Sequence, residues 1–241
     1  MPEHRLLIAE RTGAGFEVRH THKLTVGETV TIGREADIAL ATEPADTRVS
    51  RQAVTLAPTA SGWSATISNK NGILVQPWGL PAWRARPEEL LTDSHVGLRV
   101  LGDATREHWI LLETTWAPSE DVPGAADPVT LATIRSVAVR PLTAPQLEAV
   151  LLLFGEILAW PPRPSATPGQ LKQIARHLGL SVSAVQERLK PVIARAVALG
   201  LSRDVEVTDP EYVYVLVRAG YLTVDQVEVA RTAVPGAKPS V

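Results

Sequence analysis

The sequence predicts two domains of different class, an N-terminal all-β sandwich and a C-terminal all-α domain. Three observations predict this. Short apolar or alternating runs, such as TVTI at 29–32, AVTL at 53–56 and WSATI at 63–67, recur through the first 115 residues at strand spacing. Residues 116–130, WAPSEDVPGAADPVT, are too rich in proline, acid and small residues to bury a core, and read as a linker. From Thr143 onward the apolar period becomes helical. The expected boundaries are therefore 1–115 for the sandwich, 116–130 for the linker and 131–241 for the helical domain.

Taken in order, residues 5–9 and 16–19 read as the first strands, joined by the RTGAG turn. Strand patterns continue at 26–32, 53–56, 65–67 and 73–75, and HVGLRVLG (95–102) with HWILLE (108–113) closes the sandwich. His20 and His22 stand two apart with no third ligand nearby, so they read as exposed loop histidines, and His95 and His108 make no better metal site. TIRSVAV, at 133–139, is expected as a strand or an extended lead-in.

The helical half begins with Thr143 as a cap for LEAVLLLFGEILAW, which is apolar nearly all round and suits a buried bundle helix. PPRPSATP then breaks the chain. Pro168 suits a first helical position, and QLKQIARHL places Leu171, Ile174, Ala175 and Leu178 on one face. Gly179 ends that helix. Ser181 or Ser183 starts the next, with Val185, Leu189, Val192, Ile193 and Ala196 facing inward and Pro191 as a kink or boundary. Two further helices are expected at 210–219 and 223–231.

Composition narrows the functional classes. With 45% hydrophobic and 21% charged residues over 241 positions, the chain has room for two globular domains. It contains no cysteine, which excludes disulfides and thiolate metal sites. MPEHRLLIAE lacks the apolar run of a signal peptide, and no stretch of 18 apolar residues occurs, so a cytoplasmic protein without a membrane partner is expected. The net charge of −2 conceals an asymmetry: between Arg163 and Arg203 seven basic residues face Glu187 alone, giving +6 there and −8 elsewhere. A basic segment in an acidic chain points to a polyanionic partner.

Three polar islands interrupt the strands of the first half: Gly33-Arg34, Ser50-Arg51 and Lys70-Asn71-Gly72. A sandwich delivers such loops to one end. They gather guanidinium, hydroxyl, ammonium and carboxamide donors without a nucleophile–base pair, a set that holds an anion and does not cleave a bond. No Walker-type loop, catalytic triad or metal cluster appears, so neither an enzyme nor a cofactor is expected.

In order and spacing, Gly33-Arg34, Ser50-Arg51 and Asn71-Gly72 resemble the forkhead-associated (FHA) family of phosphothreonine-binding β-sandwiches, over roughly the first 115 residues. The resemblance implies that Arg34 and Ser50 bind the phosphate with Lys70 close by, and that Arg51 and Asn71 hold the peptide backbone on either side. It departs at Ala53, where the family carries a histidine that braces the binding loops. It departs again after Gly72, where a short hairpin is replaced by ILVQPWGLPAWRARPEELL. Trp78, Trp83, Arg84 and Arg86 lie in that segment, either as an extra loop beside the ligand or as cover for the sandwich edge.

QLKQIARHLGLSVSAVQERL resembles the helix-turn-helix of LuxR-type regulators and sigma-factor region 4, through its Ile-Ala pair, Leu178-Gly179-Leu180, Ser181, Val185 and Leu189. Ala175 allows close helix approach and Gly179 a sharp turn. A second helix in the major groove of double-stranded DNA exposes Ser183, Ala184, Gln186, Glu187 and Lys190 to base edges, with Arg176, Arg188 and Arg163 toward phosphates. The combined reading is a phosphothreonine reader that couples a Ser/Thr protein kinase pathway to DNA binding and transcription. Its competitor is a phospho-dependent adaptor whose helical domain binds protein.

Overall fold

The computed structural model describes residues 2–12, 15–42, 45–103, 106–116, 141–202 and 205–233. These form two compact units, one from residues up to 116 together with 160–164, the other from 141–159 and 165–233. The TIRSVAV segment and all of the expected linker beyond Trp116 lie outside the described residues.

The first unit is a two-sheet β-sandwich. Its strands are β1 (Glu3–Thr12), β2 (Gly15–Leu24), β3 (Val30–Gly33), β4 (Ile38–Ala39), β5 (Val54–Thr59), β6 (Gly62–Ile67), β7 (Ile73–Pro77), β8 (Trp83–Arg84), β9 (Glu88–Leu91), β10 (His95–Val100) and β11 (Glu107–Thr115). One sheet runs β2-β1-β11-β10-β7-β8 and the other β4-β3-β5-β6-β9. All pairings are antiparallel except β3 with β4. Alternation along the strands sends Leu6, Ile32, Leu56, Trp63, Leu98 and Ile110 into one apolar core between the sheets. The Trp63 indole crosses from one sheet to the other and donates to Thr114 Oγ1 at 3.0 Å.

The continuous apolar run of β11 has its own cause. Its outer-facing Trp109 and Leu111 are also buried, in a second cluster with Ala9, Leu7, Phe16 and Trp160. A strand buried on both faces loses the alternation that marks a half-exposed one.

Strands β4, β8 and β9 were absent from the sequence expectation. Each is short and at or near a sheet edge, and the last two lie in a segment broken by Pro81 and Pro87, so their pattern does not stand out. His20 and His22 lie on β2, not in a loop, because β2 follows β1 for ten residues, through a register shift at Ile8/Ala9.

The second unit holds α1 (Ala144–Phe154), α2 (Leu171–Leu178), α3 (Val182–Ala198), α4 (Glu211–Arg218) and α5 (Val224–Ala233). The Thr143 N–H is bonded by Gln146 Oε1 at 3.0 Å, which caps α1. Helix α1 stops at Phe154, not Trp160: Gly155 weakens propagation, and Trp160 is held in the sandwich unit by a 3.0 Å bond from its indole to Glu113. Helix α2 begins at Leu171, not Pro168. Gly169 lies against the end of α1, its N–H donating to Leu153 O at 2.6 Å, and that bond keeps the preceding residues out of helix.

Helices α2 and α3 are joined by a tight turn. Gly179 takes φ 64°, a left-handed conformation that glycine adopts freely, and Leu180 N–H bonds Ala175 O at 2.8 Å. Ser181 then caps α3 by accepting from Ala184 N–H at 3.1 Å. Val185, Leu189, Val192 and Ala196 point into the unit, Ile193 is half-buried, and α3 runs through Pro191 unbroken. Phe154 meets buried Tyr212 of α4 edge-on at 5.2 Å between ring centroids. Among the described residues no helix is long and apolar enough to cross a membrane.

Candidate anion-binding site

The loop after β3, the segment before β5 and the loop between β6 and β7 meet at one end of the sandwich. Backbone bonds tie the first two together: Arg34 N–H to Ser50 O at 3.2 Å and Glu35 N–H to Arg51 O at 2.9 Å. Only glycine fits before Arg34, because a Cβ on Gly33 would stand 2.2 Å from Arg51 O. Asp37 pins the β3–β4 loop by accepting from Thr31 N–H at 2.9 Å and Thr31 Oγ1 at 2.7 Å; these bonds hold its carboxyl below the usual carboxylate range.

Each donor expected from the sequence has a defined place. Arg34 gives Nε to Val49 O at 2.8 Å, and its side chain is 22% exposed, so one end of the guanidinium is anchored and the other faces solvent. Ser50 Oγ accepts from Lys70 N–H at 3.0 Å, which leaves the hydroxyl proton available for an outside acceptor. Asn71 Nδ2 donates to Arg48 O at 2.7 Å, and Gly72 at φ 89° completes that turn. Arg51 extends into solvent, with Nε 3.3 Å from Glu35 Oε2; the other Glu35 oxygen is 3.9 Å from Arg34. Lys70 is exposed and makes no ion pair with any described carboxylate. Arg34, Ser50, Arg51, Lys70 and Asn71 are thus brought together.

The sequence missed the residues that hold these donors in place. Asn69 is buried, and its carboxamide reaches three segments: Oδ1 accepts from Ser50 N–H at 3.0 Å, while Nδ2 donates to Gly72 O at 2.8 Å and Leu101 O at 2.9 Å. Asp46 is a second brace. Its carboxylate accepts from Arg48 N–H at 3.0 Å, Asp103 N–H at 2.7 Å and buried His108 Nε2 at 3.1 Å. Burial alone pushes Asp46 upward, but the N–H groups of Asp103 and Arg48 and the His108 ring outweigh it and hold the carboxyl low. Ala53, where the resembling family has histidine, sits with its methyl in the apolar core and its backbone bonded to Ile32 O and Ser68 N–H. In this chain Asn69 and Asp46 brace the loops.

The segment after Gly72 divides in burial. Trp78 is buried, while Trp83 is 40% exposed. Arg84, opposite Leu74 in the β7–β8 register, donates to Asn71 O at 3.0 Å.

On the second unit, Ser183, Glu187 and Lys190 share an exposed face of α3, with Ala184 and Gln186 half-buried beside it. Lys190 is paired with Glu187 at 2.5 Å. Arg188 points toward α1 and pairs with Glu148 at 3.5 Å, while Arg176 is exposed near the end of α2. Arg163 groups with the sandwich unit.

No protein-family model matches the chain, and no curated protein does. Solved structures do resemble its N-terminal half. The FHA domain of the CT664 protein from Chlamydia trachomatis is 21% identical, with a TM-score of 0.34, covering 47% of this chain and 99% of that one. Rv1747 FHA-1 from Mycobacterium tuberculosis is 15% identical, with a TM-score of 0.28, covering 46% and 98%. EmbR from Mycobacterium tuberculosis, in complex with a low affinity phosphopeptide, is 19% identical, with a TM-score of 0.31, covering 46% of this chain and 26% of its own. Likenesses this distant carry no function across.

Two outcomes are expected. Asn69→Ala removes the partner of Ser50 N–H and of Leu101 O, while Gly72 O keeps its bond from Leu101 N–H, so it lowers unfolding free energy by about 1–3 kcal/mol and raises amide exchange at Ser50, measured by denaturant unfolding and hydrogen exchange. For Asp46, a depressed folded-state value contributes stability that is present above the ordinary value near 3.8 and lost as pH falls through the folded one. Asp46→Asn is therefore less stable at neutral pH, and its stability falls less steeply than the wild type's below about pH 4, as acid titration of unfolding reads out.

Proposed function

We propose that the sandwich binds phosphothreonine peptides and that the chain is a binding protein of FHA type, not an enzyme. The observation that carries this reading is the convergence of the loops bearing Arg34, Ser50 and Lys70 at one end of the sandwich, the phosphate opening of this proposal, with the Ser50 hydroxyl already oriented by Lys70 N–H. A phosphate has nearly two negative charges and three acceptor oxygens, which a guanidinium, a hydroxyl and an ammonium complement. Arg51 and Asn71 flank the opening and hold the peptide backbone. Loops braced before the ligand arrives reduce the ordering cost of binding.

The helical unit extends the proposal. In this proposal α2, the Gly179 turn and α3 act as a helix-turn-helix, with Ser183, Gln186, Glu187 and Lys190 meeting DNA bases and Arg176 meeting phosphate, so that a phosphorylated partner from a Ser/Thr kinase pathway is coupled to transcription. A second reading, in which this unit binds protein, is favoured by the pairing of Arg188 with Glu148 and of Lys190 with Glu187, which leaves less free positive charge than the sequence count suggests. Salt-titrated binding of the full chain to double-stranded DNA separates them: affinity falling steeply with salt supports DNA, and no binding at low salt supports the adaptor.

Arg34→Ala is expected to lower affinity for a phosphothreonine peptide pool at least about 100-fold, through loss of a charge-assisted, anchored donor. Fluorescence anisotropy checks it, and equal binding of phosphorylated and unphosphorylated pools by the wild type defeats the reading.

A further inference from the structure

The cations around the opening exceed what one phosphate needs. Arg34, Arg48, Arg51, Lys70 and Arg84 contribute five positive charges, and Glu35 is the carboxylate paired with two of them. Arg48, Lys70 and Arg84 pair with no described carboxylate. A dianionic phosphothreonine thus leaves about two positive charges uncompensated.

Arg84 is the cation that the structure stations most deliberately. It stands on β8, in the segment that follows Gly72, and β7 fixes its height through the Leu74–Arg84 and Val75–Trp83 register. Its guanidinium lies over the bare face of Gly72: a Cβ there would be 2.7 Å from Nη2 and 3.0 Å from Cζ. One Nη2 hydrogen is taken by Asn71 O at 3.0 Å. That bond orients the planar fork beside Asn71, itself a residue of the opening, and leaves further N–H donors at an exposed position. A guanidinium held by a neutral carbonyl keeps its whole charge for a ligand.

We propose that Arg84 forms a second anion subsite beside the phosphothreonine site, so that the chain selects phosphothreonine segments carrying a further negative group near the modified residue. That group is a carboxylate side chain or a second phosphate, both of which offer the paired oxygens that a guanidinium binds through two parallel bonds. The subsite rests on the phosphothreonine reading and adds specificity to it. Arg34 decides whether a peptide binds, and Arg84 decides which.

The test uses the full chain and three peptide pools that share one phosphothreonine: neutral flanks, Asp/Glu flanks, and flanks with one additional phosphoserine. Wild type is expected to prefer the acidic or doubly phosphorylated pool over the neutral one by about 5–10-fold at low salt, a preference that shrinks as salt rises. The ranking of the two charged pools identifies the carboxylate or the phosphate as the favoured group. Arg84→Gln keeps a donor for Asn71 O but loses the charge. It is expected to cut the preference to less than about 2-fold while binding the neutral pool as wild type does. An unchanged preference in Arg84→Gln, or an equal loss across all three pools, overturns the subsite while the phosphothreonine reading stands. Wild type that binds no phosphorylated pool above its unphosphorylated control overturns both.

Discussion

The carboxamide of Asn69 is the constraint on which the end of the sandwich that carries Arg34, Ser50 and Lys70 depends. Three segments far apart in sequence need their backbone groups satisfied where the strands have ended, and one side chain reaches Ser50, Gly72 and Leu101. Each bond contributes about 1 kcal/mol net, but the alternative is buried polar groups left unpaired. The amide therefore behaves as a keystone. Without it, Ser50 and the Lys70–Gly72 turn keep the Lys70–Ser50 and Asn71–Arg48 bonds but lose the buried carboxamide that also ties them to Leu101.

A second brace extends the same logic to the arginine. Asp46 holds Arg48 N–H through its carboxylate, and its own carbonyl accepts from Val49 N–H at 3.1 Å; Val49 O in turn anchors Arg34 Nε. His108 and Asp103, from the opposite side of the loop, complete the Asp46 carboxylate. The charge that would meet a phosphate is thus positioned by a chain of hydrogen bonds reaching into the core. Glu35 stands against Arg34 and Arg51, an exposed pairing weak enough for the proposed phosphate to replace.

The two fold classes and the five donors of the site were legible because each left a local signature. Alternation marks β5 and β6, a helical period marks α1 to α3, and Arg34, Ser50 and Asn71 sit in polar islands between apolar runs. Asn69 left no such mark, since an asparagine in SNKNG reads as a turn residue, and only tertiary structure shows its side chain pointing inward. Asp46 and His108 are 62 positions apart, and no spacing rule brings an acid and an imidazole at that distance together. Pro168 misled for a comparable reason: its helix-start preference is local, while the Gly169 bond to Leu153 is not. In Arg188 the charge was legible but its direction was not, because Glu148 on α1 decides it.

The central claim, that this end of the sandwich holds phosphothreonine, is tested most directly by amide chemical shifts of the full chain during titration with a phosphothreonine peptide. The account predicts saturable shifts at Ser50, Lys70 and Asn71, whose amides border the opening, and none from the same peptide without its phosphate. Shifts of equal size from both peptides, or shifts that leave those three amides unmoved, contradict it.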